Sequence, residues 1–303
     1  LPSQEGRQLF VDAAPILNRA DIAAGNLEGT LCDGGETHKK ISKVCYAFRT
    51  PTSFASRLSE AGFDFLSMAN NHARDFGEVG IRSTMQCLDQ LGIKYSGIKN
   101  YPDHAILQKD SVTYGFCAFG HNDYTLRHQD LESVRRIITH LVNVCDIVIV
   151  SFHGGAEGAS KARLPYGKEV FCGEDRGSLR SFAHFCIDAG ADVVFGHGPH
   201  VARAMEVYKE HFIAYSLGNF CTPYGISLSG ISGYAPLLEL QIDNEGRFQS
   251  GKIHSFIQHR GVGPRLDVNH SAAREIRRLT QLDFPKGVLQ IHADGTLSKE
   301  PQH

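Results

Sequence analysis

The sequence has no apolar run approaching the roughly 20 residues that a membrane-crossing helix requires. Its longest, residues 146–152 (DIVIVSF), has the length of a buried strand. None of its 8 cysteines forms a C-x-x-C pair, which argues against a zinc ribbon or a thioredoxin-type redox motif. Most of them read as small buried hydrophobes. Cys32 and Cys45 flank a polar stretch and are the pair to test for a disulfide, with two unrelated thiols as the equal alternative. There is no surplus of positive charge either. The 31 Lys and Arg nearly cancel 33 Asp and Glu, so the sustained positive field needed for non-specific nucleic-acid binding is missing, and no nucleic-acid partner is expected. Nor is there an internal repeat, a low-complexity segment or a Pro- or Ser-rich linker. The 303 residues are therefore read as one domain with a two-sheet core, on which residues 221–303 pack as antiparallel strands and a terminal helix. The chain opens on Leu1 rather than Met, which leaves room for a leader or anchor. A cell-envelope or extracytoplasmic location is the expectation, with the cytoplasm as the alternative.

What the sequence does contain is an alternation of short strand-like runs and helix-like stretches, the pattern of an α/β fold. Strands are expected near residues 21–27, 63–68, 105–108, 112–119, 146–152 and 192–195, and helices near 51–60, 78–91, 131–142 and 176–188. Gly92 is placed to stop the second helix in a left-handed cap. Residues 154–175, rich in Gly and charge, are long for a connection and read as a functional loop or lid. After residue 204 the pattern turns to hairpins, followed by a helix near 271–282 and a last strand near 288–292.

Four loops each follow an apolar run and carry side chains able to bind a metal or an anion. They contain Asn26 and Glu28; Asn70, Asn71 and His72; His153 and Glu157; and His197 and His200. In α/β folds ligands gather at the carboxyl ends of strands, so loops far apart in sequence can converge on one crevice. Neutral imidazoles with amide and carboxylate oxygens suit Zn, Mn or Fe equally, and a dinuclear centre of such ions would activate water and neutralise phosphoryl oxygens. Each loop alone has a plainer account: Asn26 as a strand-end cap, Glu28 as a surface charge, Asn70 and Asn71 as turn residues, His153 as a core histidine. Two imidazoles in the tight turn 197–200 are harder to explain without solvent or a ligand. The four together favour a site.

The phrases at residues 62–77 (GFDFLSMANNHARDFG), 151–157 (SFHGGAE), 190–201 (GADVVFGHGPHV) and 215–220 (YSLGNF) resemble the CapA family, tied to poly-γ-glutamate and capsule synthesis. That family is similar to the calcineurin-like metallophosphoesterases. The resemblance implies a metallophosphoesterase-like β-sandwich flanked by helices, in α-β-β-α layers, with a two-metal site. It implies Asn71 as a metal ligand and His72 as the group that protonates or contacts the leaving group. His153, His197 and His200 would be further ligands, and Glu28 an early acidic ligand with Asn26 as its competitor. Glu157 could serve as a general base and Asp75 could orient His72, although a helix-capping role for Asp75 stays open. Asn70 and Asn219 would line the substrate side, with a turn role for Asn219 equally open. Two departures stand out: the family's early Gly-Asp motif does not occur before Asn26, and the usual Gly-His-x-His is one residue longer here, as His197-Gly-Pro-His200.

The resemblance implies a metal-dependent hydrolase or transferase in the synthesis, release or anchoring of an anionic polymer such as poly-γ-glutamate. The expected partners are that polymer or a phosphorylated small molecule, and the envelope synthesis machinery. A non-catalytic scaffold or polymer-binding subunit is the alternative that the missing Gly-Asp motif supports. A nucleotidase-like phosphoesterase with an aromatic base pocket is a third.

Overall fold

The computed structural model describes residues 2–37, 39 and 46–300. The layering follows from side-chain alternation along the strand Ile147–His153. Val148, Val150 and Phe152 point to one side, where Ile137, Ile138 and Leu141 of the helix Leu131–Val142 and Phe182 of the helix Leu179–Asp188 bury them. Ile149 points to the other side and packs with Phe65, Phe116 and Ala118. Both faces of this strand are therefore apolar, as a strand covered on both sides must be.

This strand lies within a six-stranded sheet. Across the sheet the strands run Met205–Tyr208, His211–Ala214, Val193–His197, Ile147–His153, Val112–Phe119, Ala105–Lys109. The middle four are parallel, and an antiparallel hairpin partner closes each edge.

Facing its inner side is a second, all-parallel sheet of Ala24–Asn26, Phe65–Ser67 and Lys94–Ser96. Phe65 stacks on Phe116 across the two sheets, with ring centroids 4.4 Å apart. The outer face of the second sheet is covered by the helix Gly77–Gln90, whose Ile81, Met85 and Leu88 meet Leu66 and Met68. Gly92, at φ +72°, ends that helix in the left-handed cap its sequence position predicts.

A third sheet is built on the long antiparallel pair Tyr234–Ile242 and Phe248–His259, joined by Gly263–Leu266, Thr296–Lys299 and Leu289–Ile291. Its Phe248, Ile253 and Leu297 share a core with Phe195, Met205 and Phe212 of the central sheet and with Ala273 and Ile276 of the helix Ser271–Asp283. Helices, sheet, sheets and helices stack in that order, which is the α/β layering the resemblance implied. No helix among the described residues is long and apolar enough to cross a membrane.

Residues 154–178 differ from the sequence reading. The helix expected from 176 begins at Leu179, because Arg176 and Gly177 belong to the strand Glu174–Gly177, which pairs with Glu169–Phe171 in a hairpin. So polar a hairpin leaves no apolar alternation to read. It is held down from below by Arg203, fully buried, whose two terminal nitrogens donate to the two Glu169 oxygens at 2.8 Å each. Cys32 is buried, and Cys45, its suggested disulfide partner, lies outside the described residues.

Candidate metal centre

His153 and His197 are the last residues of two adjacent parallel strands and pair with one another in register. His153 shares the parity of Ile149 and His197 that of Phe195, so both imidazoles leave the sheet on its inner face, beneath the loops of the second sheet. The two strand ends are drawn close by backbone contact. Gly154 donates to the His197 carbonyl at 2.9 Å, and Gly158 to that of Pro199 at 2.9 Å.

From the second sheet, the loop after Asn26 brings in Glu28. Its Oε1 stands 4.0 Å from His153 Nε2 and 3.6 Å from His200 Nε2. Glu157 reaches the same His200 nitrogen at 3.9 Å. His200, at φ +58°, is in the left-handed region that few non-glycine residues adopt. Asn219 secures it there, accepting from Nδ1 at 2.8 Å and donating to the His200 carbonyl at 3.0 Å. With Nδ1 engaged, Nε2 is the nitrogen presented to the two carboxylates.

Asn70 joins the two loops of the second sheet. Fully buried, it donates to Asn26 Oδ1 at 3.2 Å and to the Leu27 carbonyl at 2.8 Å, and accepts from the His72 backbone N–H at 3.1 Å. Asn26 in turn donates to Glu28 Oε2 at 3.4 Å. Asn71, the next residue along, has a buried Oδ1 with no hydrogen-bond partner. His72 Nδ1 hydrogen-bonds the buried Asp75 carboxylate at 2.7 Å, and that carboxylate also accepts the Phe48 N–H at 2.6 Å. The bond to Asp75 fixes the orientation of the His72 ring. Phe48 lies against the His72 ring, with centroids 4.2 Å apart.

Four polar residues that the sequence reading passed over complete the surroundings. Lys39 pairs with Asp75 and donates to the Asn71 carbonyl at 3.2 Å. Arg176, nearly buried, holds Glu157 at 2.9 Å and Glu174 at 3.0 Å. His121 follows the strand Val112–Phe119 and stacks on His153, centroids 6.0 Å apart; its Nε2 is 3.4 Å from Glu174. His128 lies beyond it, 6.5 Å away.

The electrostatics divide these groups. Burial, reinforced by the positive potential of His121, His200, His197 and Arg176, holds His153 far below the usual histidine range. Burial and His200 bring His197 down to about 4. Both imidazoles are therefore neutral at ordinary pH, the form that ligates metal. His200 moves the other way: burial opposes its charge, but Glu28, Glu157 and the Asn219 hydrogen bond together raise it.

Among the described residues, no group of three or more His, Cys, Asp or Glu side chains stands at ligating separation. The donor chemistry nevertheless fits a divalent ion. Glu28 Oε1, Asn71 Oδ1, His197 Nδ1 and both ring nitrogens of His153 are buried without a hydrogen-bond partner. Buried polar atoms seldom go unpaired, and an orphan can mark a place for an ion. Four of the proposed ligands carry such atoms, and so do neighbours outside the ligand set, among them His121 and Arg176.

The family model for the bacterial capsule synthesis protein PGA_cap matches residues 2–224. The chain belongs to that family. It is 27% identical over 317 residues to the capsule biosynthesis protein CapA of Bacillus anthracis, covering 97% of this chain and 72% of that one. It is 28% identical over 257 residues to the PGA biosynthesis protein CapA of Bacillus subtilis, covering 80% of this chain and 63% of that one. Among solved structures it resembles a phosphatase from Mycoplasma pneumoniae, with a TM-score of 0.55 at 12% identity over 84% of this chain and 89% of the other. That likeness bears on the fold alone, and it agrees with the metallophosphoesterase-like layering.

Proposed function

We propose that this PGA_cap protein is a metal-dependent hydrolase or transferase acting at the cell envelope on an anionic capsular polymer such as poly-γ-glutamate, in its synthesis, release or anchoring. The observation that supports this most is the set of orphaned buried donors on Glu28, Asn71, His153 and His197, gathered at the carboxyl ends of strands in two facing sheets. The names of the two Bacillus relatives support the polymer as substrate class.

Glu28, Asn71, His153, His197 and His200 would hold one or two ions of Mn, Zn or Fe, with Asn26 as an alternative to Glu28. A bound divalent ion supplies charge neutralisation and a lowered pKa for water. The chain's own residues do the rest. Asp75 fixes the His72 ring so that Nε2 delivers or takes the proton at the leaving group. Asn219 aims His200, and Asn70 locks the Asn26–Glu28 loop to the Asn71–His72 loop. Glu157, tethered to Arg176, stands ready as a base once substrate draws the arginine away. Envelope synthesis machinery is the expected partner.

Metal content after mild purification, measured on wild type, His153→Ala and His197→Ala, tests the reading. Bound Mn, Zn or Fe in wild type and its loss from both variants is the expected result. Equally low metal in all three proteins would defeat it. Metal retained without cleavage of γ-glutamyl or phosphoester bonds would favour a polymer-binding scaffold.

A further inference from the structure

Behind the loop that carries Glu157 lies a cavity of about 520 Å³, to which Ala156 contributes wall while its neighbour Glu157 faces the candidate centre. Its other walls include Lys161, Arg163, Tyr166, Lys168, Arg180 and Leu282. Two carboxylates also line it, but both are spent internally. Glu169 is taken by Arg203 and the Ala156 N–H, and Asp283 by Arg163 and the Leu164 N–H.

Arg163 is spent on Asp283, but the other three cations of the wall are less committed. Lys161 makes no ion pair among the described residues, and Lys168 has its one partner, Asp175, outside the cavity wall. Arg180 lies between the rings of Tyr166 and Phe284, 4.3 and 4.2 Å from their centroids, with a buried Nε that has no partner. In a chain whose net charge is −2, this is a local concentration of positive charge. Apolar surface accompanies it: Tyr166 is 79% exposed, and Val170 and Leu282 are exposed beside it. The volume is that of a site for an extended organic ligand rather than a lone ion.

We propose that this cavity is a second subsite that holds a stretch of carboxylate-bearing polymer next to the segment entering the candidate metal centre. Lys161, Lys168 and Arg180 face its carboxylates, and Tyr166, Val170 and Leu282 cover its methylenes. The inference rests on the polymer reading above and adds where the non-reacting part of the chain lies.

Fluorescence anisotropy with a labelled γ-linked glutamate oligomer tests it on the full chain. The arms are wild type, Lys161→Ala/Lys168→Ala, His200→Ala at the candidate centre, and Lys94→Ala/Lys99→Ala as an exposed control pair elsewhere. The cavity pair is expected to weaken binding about tenfold and to flatten its salt dependence, with the control pair unchanged. Wild-type binding with no loss in the cavity variant overturns the subsite while the polymer reading stands. Equal loss in the control pair, equal binding of a γ-linked glutamine oligomer, or displacement by inorganic phosphate as effective as by unlabelled oligomer also overturns it. No wild-type binding at all overturns both.

Discussion

Asn219 grips His200 at two points, taking the ring's Nδ1 hydrogen at 2.8 Å and giving its own amide hydrogen to the His200 carbonyl at 3.0 Å. The two bonds hold a left-handed backbone and choose the ring nitrogen that meets Glu28 and Glu157. Hydrogen-bond partners of ligating histidines commonly govern metal affinity by 10- to 100-fold, roughly. Asn219→Ala should therefore lose affinity on about that scale, whereas Asn219→Asp keeps an acceptor for Nδ1–H and should retain most of it. Titration against a chromogenic chelator measures the difference. Matching affinities in the two variants would show that Asn219 does not position the ligand.

Arg203, fully buried, and Glu169, buried at the wall of the cavity, form a pair that also ties down Ala156 and Lys161. Removing Arg203 leaves the buried Glu169 carboxylate with the Ala156 N–H but without its countercharge. Arg203→Leu should cost about 3 to 5 kcal/mol. Arg203→Leu/Glu169→Leu, which leaves no buried charge, should recover part of that loss. Urea unfolding followed by circular dichroism reads both. A double variant less stable than the single would mean the pair contributes net stability rather than mutual neutralisation.

Much of this architecture was legible because apolar runs mark their own layers. The consecutive apolar residues Val148, Ile149 and Val150 announce a strand covered on both sides, and the polar residue at the end of such a run is a site candidate. The same rule would have found His121, which follows Val112–Phe119 as His153 ends its own strand. Arg176, Lys39 and the Arg203–Glu169 pair carry no such mark. Arg176 and Lys39 sit in polar segments, whereas Arg203 is a single charge among the buried Val201, Ala202, Ala204 and Met205; each is placed by a partner distant in sequence, Glu157 for Arg176 at 19 residues, Asp75 for Lys39 at 36 and Glu169 for Arg203 at 34.

Asp192 gives a pH prediction clear of the candidate centre. Burial raises its carboxyl from 3.8 to about 6, and Asp243 adds to the rise, against the Val148 N–H bond and His211. The folded chain then holds a proton between these values that the unfolded chain has released. Its stabilising contribution is present below 3.8 and is lost as pH rises through 6, a swing of up to about 3 kcal/mol. His197, lowered to about 4, gives the opposite slope, because the unfolded chain binds the proton that the folded one refuses. That slope is common to wild type and Asp192→Asn. The variant should therefore gain on wild type between pH 4 and pH 7, by about 2 kcal/mol or more. Paired urea titrations at the two pH values check this, and a constant difference would sink it.

The close approach of the His153 and His197 loops can be separated from ordinary glycine strain by comparing two sites. Gly92 at φ +72° has open space where a Cβ would stand, so Gly92→Ala meets only the left-handed backbone penalty, about 1 to 2 kcal/mol. Gly198 is also left-handed, at φ +124°, but a Cβ there would lie 2.2 Å from the Gly154 carbonyl oxygen. Backbone on the facing loop cannot swing aside as a side chain can, so Gly198→Ala must push the two strand ends apart. Its melting temperature should fall well beyond that of Gly92→Ala, and its metal content should fall with it, while Gly92→Ala keeps wild-type metal content. Similar melting temperatures in the two variants would mean that the loops yield to one another and that their contact does not set the spacing of the two histidines.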